Sequence, residues 1–157
     1  MAISPIPQYG HRLLVLPDNR VEVANFEIEY PSSQQVLVQT HSTLISAGTE
    51  LGAQEQQRKQ PFTPGYSNVG TILALGDGVE GYQVDDRVLS LGRHASHVTV
   101  PALPQSLVKL PDKVSFEAGT FGVLGSVSIH GVRKSNLEFG EHLMVTGMGV
   151  VGQLALQ

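Results

Sequence analysis

Residues 145–157 read "VTGMGVVGQLALQ", and this stretch decides how the rest of the chain is read. Gly147, Gly149 and Gly152 spell G-x-G-x-x-G after a short apolar run, with an apolar helical pattern behind them. Strand, glycine turn and helix in that order form the opening of a dinucleotide-binding unit. Each glycine has a separate task. The first makes the tight turn, the second lets backbone approach a pyrophosphate, and the third lets helix and strand pack closely. Amide groups at the start of the helix, here at Val150 and Val151, then face the phosphates. The same spacing also arises in a strand-to-helix turn that binds nothing, since the chain holds 17 glycines.

Working back from that motif, the preceding sequence is of a different kind. "HRLLVL" (11–16), "VEVANFEIEY" (21–30) and "QVLVQTHSTLIS" (35–46) carry the alternation and β-branched residues of half-buried strands. "NVGTILALG", "DRVLSLG" and "SHVTVPA" continue in the same way, and Asp77-Gly78 between the first two signals a hairpin. The polar run 47–67 has no clean period and reads as a long loop with at most a helical turn. Helical character arrives at 115–134, with Ser115 and Glu117 at its start and basic residues at its end. "HLMVTG" then reads as a buried strand, and "VVGQLALQ" as the start of a helix. The pattern predicts a mainly β body with helices added, divided into 1–125 and 126–157.

Composition narrows the chemistry. The 157 residues carry a net charge of -4 and are 41% hydrophobic, with no basic footprint for nucleic acid or an anionic membrane. No apolar run approaches the roughly 20 residues of a bilayer span, and the N-terminus lacks a secretory pattern. There is no cysteine, which removes disulfides, thiolate catalysis and thiolate metal sites. A cytoplasmic location is the expectation.

Taken together in order, "ISAGTEL" (45–51), "PGYSNVGTILALGDGVEGYQVDDRV" (64–88), "RHASHVTVPALPQSLVKLPDKVSFEAG" (93–119) and "SIHGVRKSNLEFGEHLMVTGMGVVGQLALQ" (128–157) resemble the N-terminal part of the medium-chain dehydrogenase/reductase superfamily. The resemblance implies a GroES-like, partly open β-barrel carrying the substrate side of an active site. It also implies the first β-α step of a Rossmann domain for NAD or NADP, with Gly147, Gly149, Val150, Val151 and Gly152 at the nucleotide. The acidic residue that would meet the ribose falls beyond Gln157, so the choice between NAD and NADP is open. Turnover by residues 1–157 alone is not expected.

The departures from that family are informative. Its zinc-dependent members place metal ligands where this chain has Ala47, Tyr66 and the Gly122-Val123 pair. None of these is a normal zinc donor, and zinc needs three or four Cys, His or carboxylate ligands. The resemblance is therefore to a zinc-free subgroup, and no metal is expected. Without a metal, something else must stabilise or protonate the oxyanion formed by hydride transfer. Tyr66 is the candidate, its alternative role being a barrel-wall tyrosine bonded to backbone. Thr49 stands where relatives place a relay hydroxyl, its alternative being a local turn bond. Gly52 takes the next relay position, where a His is common.

Glu50 reads as a residue that holds loop structure. Ala47, Ser67 and His94 are expected to shape the substrate cleft. His94 and His97 form H-x-x-H, yet positions three apart on a strand face opposite ways, which argues against a shared metal. His130 reads as a packing residue, and His11, His41 and His142 as surface or strand residues. Ser126 and Ser128 are candidates for contact with cofactor or substrate, although short helix serines more often bond their own backbone. Asp85-Asp86-Arg87 reads as a structural hairpin element.

Three functions are compatible with these residues. The first is a zinc-independent hydride-transferring oxidoreductase acting on a carbonyl or alcohol. The second is an enone or quinone reductase of the same superfamily. The third is a non-catalytic barrel used for interaction. The apolar run "LMVTGMGVVGQLAL" adds a tendency to homodimerise.

Overall fold

The computed structural model describes residues 5–55 and 59–157. The chain divides into two units, Met1–Thr120 and Phe121–Gln157. In the first, β1 (Tyr9–Val15) and β2 (Val21–Glu27) form an antiparallel hairpin, and β3 (Gln35–Thr43) leads into α1 (Ala47–Glu55). Then follow β4 (Asn68–Leu75), β5 (Arg87–Ser90), β6 (His97–Pro101) and β7 (Leu107–Lys109), and the short helix α2 (Phe116–Gly119). The five later strands make one antiparallel sheet in the order β6-β3-β4-β5-β7. Single bridges from Arg12 to Ala95 and from Val15 to Phe62 bring β1 against residues outside its own hairpin. The result is a curled, partly open barrel.

Alternation along the strands explains what is inside. Val36 and Val38 on β3, with Ile72, Val88, Val98, Val100 and Leu107, form the main core, all under a tenth exposed. Leu37, between the two valines, faces the other way and packs with Leu73 and Ala74. The buried part of β3 is Val36 to Val38, and register shifts at Leu37/Val38 and Thr40/Ser42 bend the strand. Burial of each Val or Leu here contributes about 1.5–3 kcal/mol.

The Asp77-Gly78 turn lies between β4 and β5, as the dipeptide predicts, and the Asp85-Asp86-Arg87 element is structural as expected. Asp86 accepts from the amide of Gln83 at 2.9 Å and pairs with Lys109 at 2.8 Å. The Arg87 guanidinium donates to the carbonyls of Pro111, Asp112 and Val114 and lies 4.5 Å from the centre of the Phe116 ring. These contacts carry β5 onto the segment that starts α2. His41, exposed on β3, stacks on Phe116 at 4.1 Å.

Three expectations are corrected. The polar run contains a two-turn helix, α1. Glu50 starts it, accepting from the Ser46 amide at 2.7 Å while its own amide donates to the Ser46 carbonyl at 2.8 Å. The single helix expected over 115–134 is two, α2 and α3 (Gly122–Lys134). Ser115 caps α2, accepting from Ala118 N at 3.1 Å. At its other end the Thr120 amide is shared between the carbonyls of Phe116 and Glu117, and the Thr120 hydroxyl donates to Glu117 O at 2.7 Å. That tightened turn ends the helix.

The third correction concerns "HLMVTG", which forms no strand, with Met144 83% exposed. A strand of a parallel sheet exists only against neighbours, and none of the described residues pairs with it.

The second unit consists of α3, the connecting segment and α4 (Val150–Leu156). Ser126 and Ser128 bond their helix backbone, and Ser128 also donates to the Val151 carbonyl at 3.0 Å. His130 is exposed, so it is not the packing residue its helix position suggested. Among the described residues no helix is long and apolar enough to cross a membrane.

Candidate active site

The expected site residues of the first unit lie on two segments that meet at His94. One is α1 and the end of β3, carrying Thr43, Ala47, Thr49 and Glu50. The other is the turn Pro64–Ser67, carrying Tyr66. His94 lies between them, 4% exposed, just before β6. Its amide donates to the Pro64 carbonyl and its carbonyl accepts from Leu13 N, each at 2.9 Å. Its Nδ1 is 2.9 Å from Thr43 Oγ1, and its Nε2 is 3.0 Å from Glu50 Oε2. The His94 and Glu50 side chains are 3% and 12% exposed.

The 64–67 turn owes its shape to this packing. Gly65 has φ +99, and a Cβ there would come within 2.7 Å of His94 N and 2.8 Å of its Cγ. Only glycine lets the backbone run so close to the ring. On the far side of Tyr66, the Ser67 carbonyl accepts from Leu44 N at 3.1 Å. The buried Ser67 hydroxyl donates to Thr120 O at 2.6 Å. Ser67 thus closes the turn, whereas the sequence suggested a cleft residue. Asn68 follows, fully buried, with its amide nitrogen on Thr40 Oγ1 (2.8 Å) and on Arg93 O (3.2 Å).

Tyr66 is held at both ends by backbone, while its side chain is half-buried and its hydroxyl has no hydrogen-bond partner among the described residues. Thr49 is exposed on the first turn of α1, its hydroxyl 3.4 Å from that of Ser46. Ala47 is exposed at the start of the same helix. Glu50 has no free oxygen for a reacting molecule, because one meets Ser46 N and the other meets His94.

His97 goes a different way from His94. Its Nδ1 is 3.0 Å from Ser96 Oγ, and its Nε2 is buried without a partner among the described residues. Burial, followed by the nearby His11 charge, holds its imidazole below the usual histidine range.

The residues present do not suit zinc. Ala47 and Tyr66 offer no normal donor. Glu50 and His94 bind each other. Among the described residues no group of three or more His, Asp or Glu could hold a metal ion.

The glycines of the second unit shape the turn that opens α4. Gly147 has φ +92, Gly149 caps α4 with extended backbone, and a Cβ at Gly152 would fall on the carbonyl oxygen of Gly147. Close packing of helix on turn therefore depends on Gly152. Val150 and Val151 open α4 and are exposed.

Residues 32–128 match the alcohol dehydrogenase GroES-like domain family, and the chain belongs to it, within the medium-chain dehydrogenase/reductase superfamily. The (R,R)-butanediol dehydrogenase of Bacillus subtilis (strain 168) is 29% identical over 122 residues, 62% of this chain and 35% of that protein. A quinone oxidoreductase structure from Pseudomonas syringae pv. Tomato DC3000 superposes with a TM-score of 0.74 at 28% identity, covering 93% of this chain and 48% of that one. The structure of a short chain alcohol dehydrogenase from Escherichia coli CFT073, complexed with NADH, has a TM-score of 0.84 at 18% identity and covers 96% and 52%. The chain thus spans about a third to a half of the length of these relatives.

Proposed function

We propose that this chain supplies the substrate-side half of an NAD(P)-dependent, zinc-independent oxidoreductase acting on a carbonyl or alcohol. The observation that carries the reading is Tyr66, a half-buried phenol with no partner among the described residues, on a rigid turn where zinc-dependent relatives place a ligand. A bound NAD(P), its pyrophosphate held at Gly147, Gly149 and the amides of Val150 to Gly152, would supply or accept the hydride. In the reducing direction the hydride goes to the carbonyl carbon. The Tyr66 phenol gives its proton to the oxygen and is reprotonated from solvent. Thr49 is the second hydroxyl in this scheme, and Ala47 stands where zinc-dependent relatives place a ligand side chain. A cytoplasmic homodimer belongs to the same proposal.

The test uses the chain joined to a complete nucleotide-binding domain. Tyr66→Phe should lower kcat by about 10²–10⁴-fold, the usual contribution of a positioned proton donor, with little change in KM. An unchanged kcat would overturn the role of Tyr66. Similarity to the quinone oxidoreductase favours a second reading, reduction of an enone or quinone. Hydride then goes to a ring or alkene carbon, and alcohols are not oxidised.

A further inference from the structure

We propose that Glu50 and His94 form a positioning pair that sets where Tyr66 stands, with the ring proton of His94 fixed on Nε2. The inference rests on the reading of Tyr66 as the proton donor. Its geometry, however, is independent of turnover.

Hydrogen-bond polarity assigns the proton. Ionised Glu50 can only accept: Oε1 takes the Ser46 amide at 2.7 Å, and Oε2 faces His94 Nε2 at 3.0 Å, so Nε2 must carry hydrogen. In the neutral ring, Nδ1 is then an acceptor, and the Thr43 hydroxyl donates to it across 2.9 Å. The ring is thereby fixed in plane and tautomer by groups on β3 and on α1, and it is buried. Against its face lies the backbone of Gly65, so close that no Cβ would fit, while the His94 amide holds Pro64. Tyr66 is the next residue. A carboxylate on α1 therefore determines the position of a phenol on another segment through one imidazole, and neither residue of the pair needs to touch a substrate.

The isosteric variant Glu50→Gln separates this from plain packing. Its amide must present NH₂ to His94 if its oxygen keeps the Ser46 amide. Nε2 then becomes the acceptor, and the proton moves to Nδ1, donating to Thr43. The experiment is NMR on the full chain with ¹⁵N-histidine and ¹³C-tyrosine, the four tyrosines assigned by Phe substitution. Wild type should show His94 protonated on Nε2 and one sharp Tyr66 ring environment. In Glu50→Gln the proton should move to Nδ1 while Tyr66 stays sharp.

Glu50→Ala and His94→Ala should broaden or split Tyr66. They should leave Tyr82, whose hydroxyl donates to Leu107 O at 2.8 Å, in place as the control for folding. An Nδ1 proton in wild type would overturn the proposal, as would an unmoved Tyr66 in both alanine variants. Where an alanine variant disturbs Tyr82 as well, the Glu50→Gln tautomer decides alone, and an unswitched proton refutes the pair. Failure of Tyr66→Phe to slow turnover would remove the donor role and leave these spectra unaffected.

Discussion

Replacing Gly65 with alanine tests the central contact of the site directly. The residue sits at φ +99, a region that costs a side-chain-bearing residue roughly 1–3 kcal/mol. The new methyl would also meet His94 N at 2.7 Å and the ring carbons Cγ and Cδ2 at 2.8 and 2.9 Å. The amide cannot move without giving up Pro64 O, and the ring cannot move without giving up Glu50 and Thr43. Crowding of that kind in a packed interior adds about 1–3 kcal/mol. Together the two effects predict a loss of about 2–6 kcal/mol, lowering a urea midpoint by roughly 1–3 M at a slope of about 2 kcal/mol/M.

Gly81 supplies the control. It has φ +79, and a Cβ placed there would have nothing within 4 Å, so Gly81→Ala should cost only about 1 kcal/mol of backbone strain. Equilibrium urea unfolding of both variants, followed by far-UV circular dichroism, isolates the His94 contact as the difference. Equal losses for the two variants would refute the close approach of Gly65 to His94.

Other consequences are as direct. His97 has a folded-state pKa held below its unfolded value, so its protonation favours the unfolded chain. Its contribution is therefore complete above about pH 6.5 and is lost as pH falls through that value toward the folded pKa. Urea midpoints measured across that range should show this slope in wild type and a flatter one in His97→Gln. Gly152→Ala puts a methyl onto the Gly147 carbonyl whereas Gly149→Ala meets nothing, so amide exchange should report α4 loosened by the first change and not by the second. Gly131→Ala fills open space on the exposed side of α3 and should stabilise that helix by about 0.5–1 kcal/mol, measured by exchange within it.

Much of the barrel was legible because strands that bury one face must alternate. β1 to β6 follow the runs picked out by Val, Leu and Ile spacing, and Asp77-Gly78 lies in the connection between β4 and β5. β7 left no such signal, because Leu107–Lys109 is too short to show a period and shows one buried residue. α1 was hidden for a similar reason, since a helix that buries little carries no apolar stripe. The break at Thr120 came from one hydroxyl and one shared amide, which spacing does not encode. In the site, Glu50 could be read as a loop holder, because Ser46 lies within one turn of it. Its pairing with His94, 44 positions away, could not be read, because only the curl of the sheet brings them together. His94 lies in the bend before β6 and His97 begins that strand, and each has a partner of its own.

The strand order also sets an itinerary for folding. β1 with β2, and β4 with β5, join residues close in sequence and can zip locally, whereas Val36 meets Val100 only after the intervening chain has been drawn in. Closing that long loop carries most of the entropic cost before any core contact repays it, so β6 should dock late and limit the rate. His94 lies in the bend that leads into β6. The knot of hydrogen bonds around Tyr66 would then be among the last parts of the barrel to set, and the turn bearing the phenol would gain its rigidity only when folding is nearly finished.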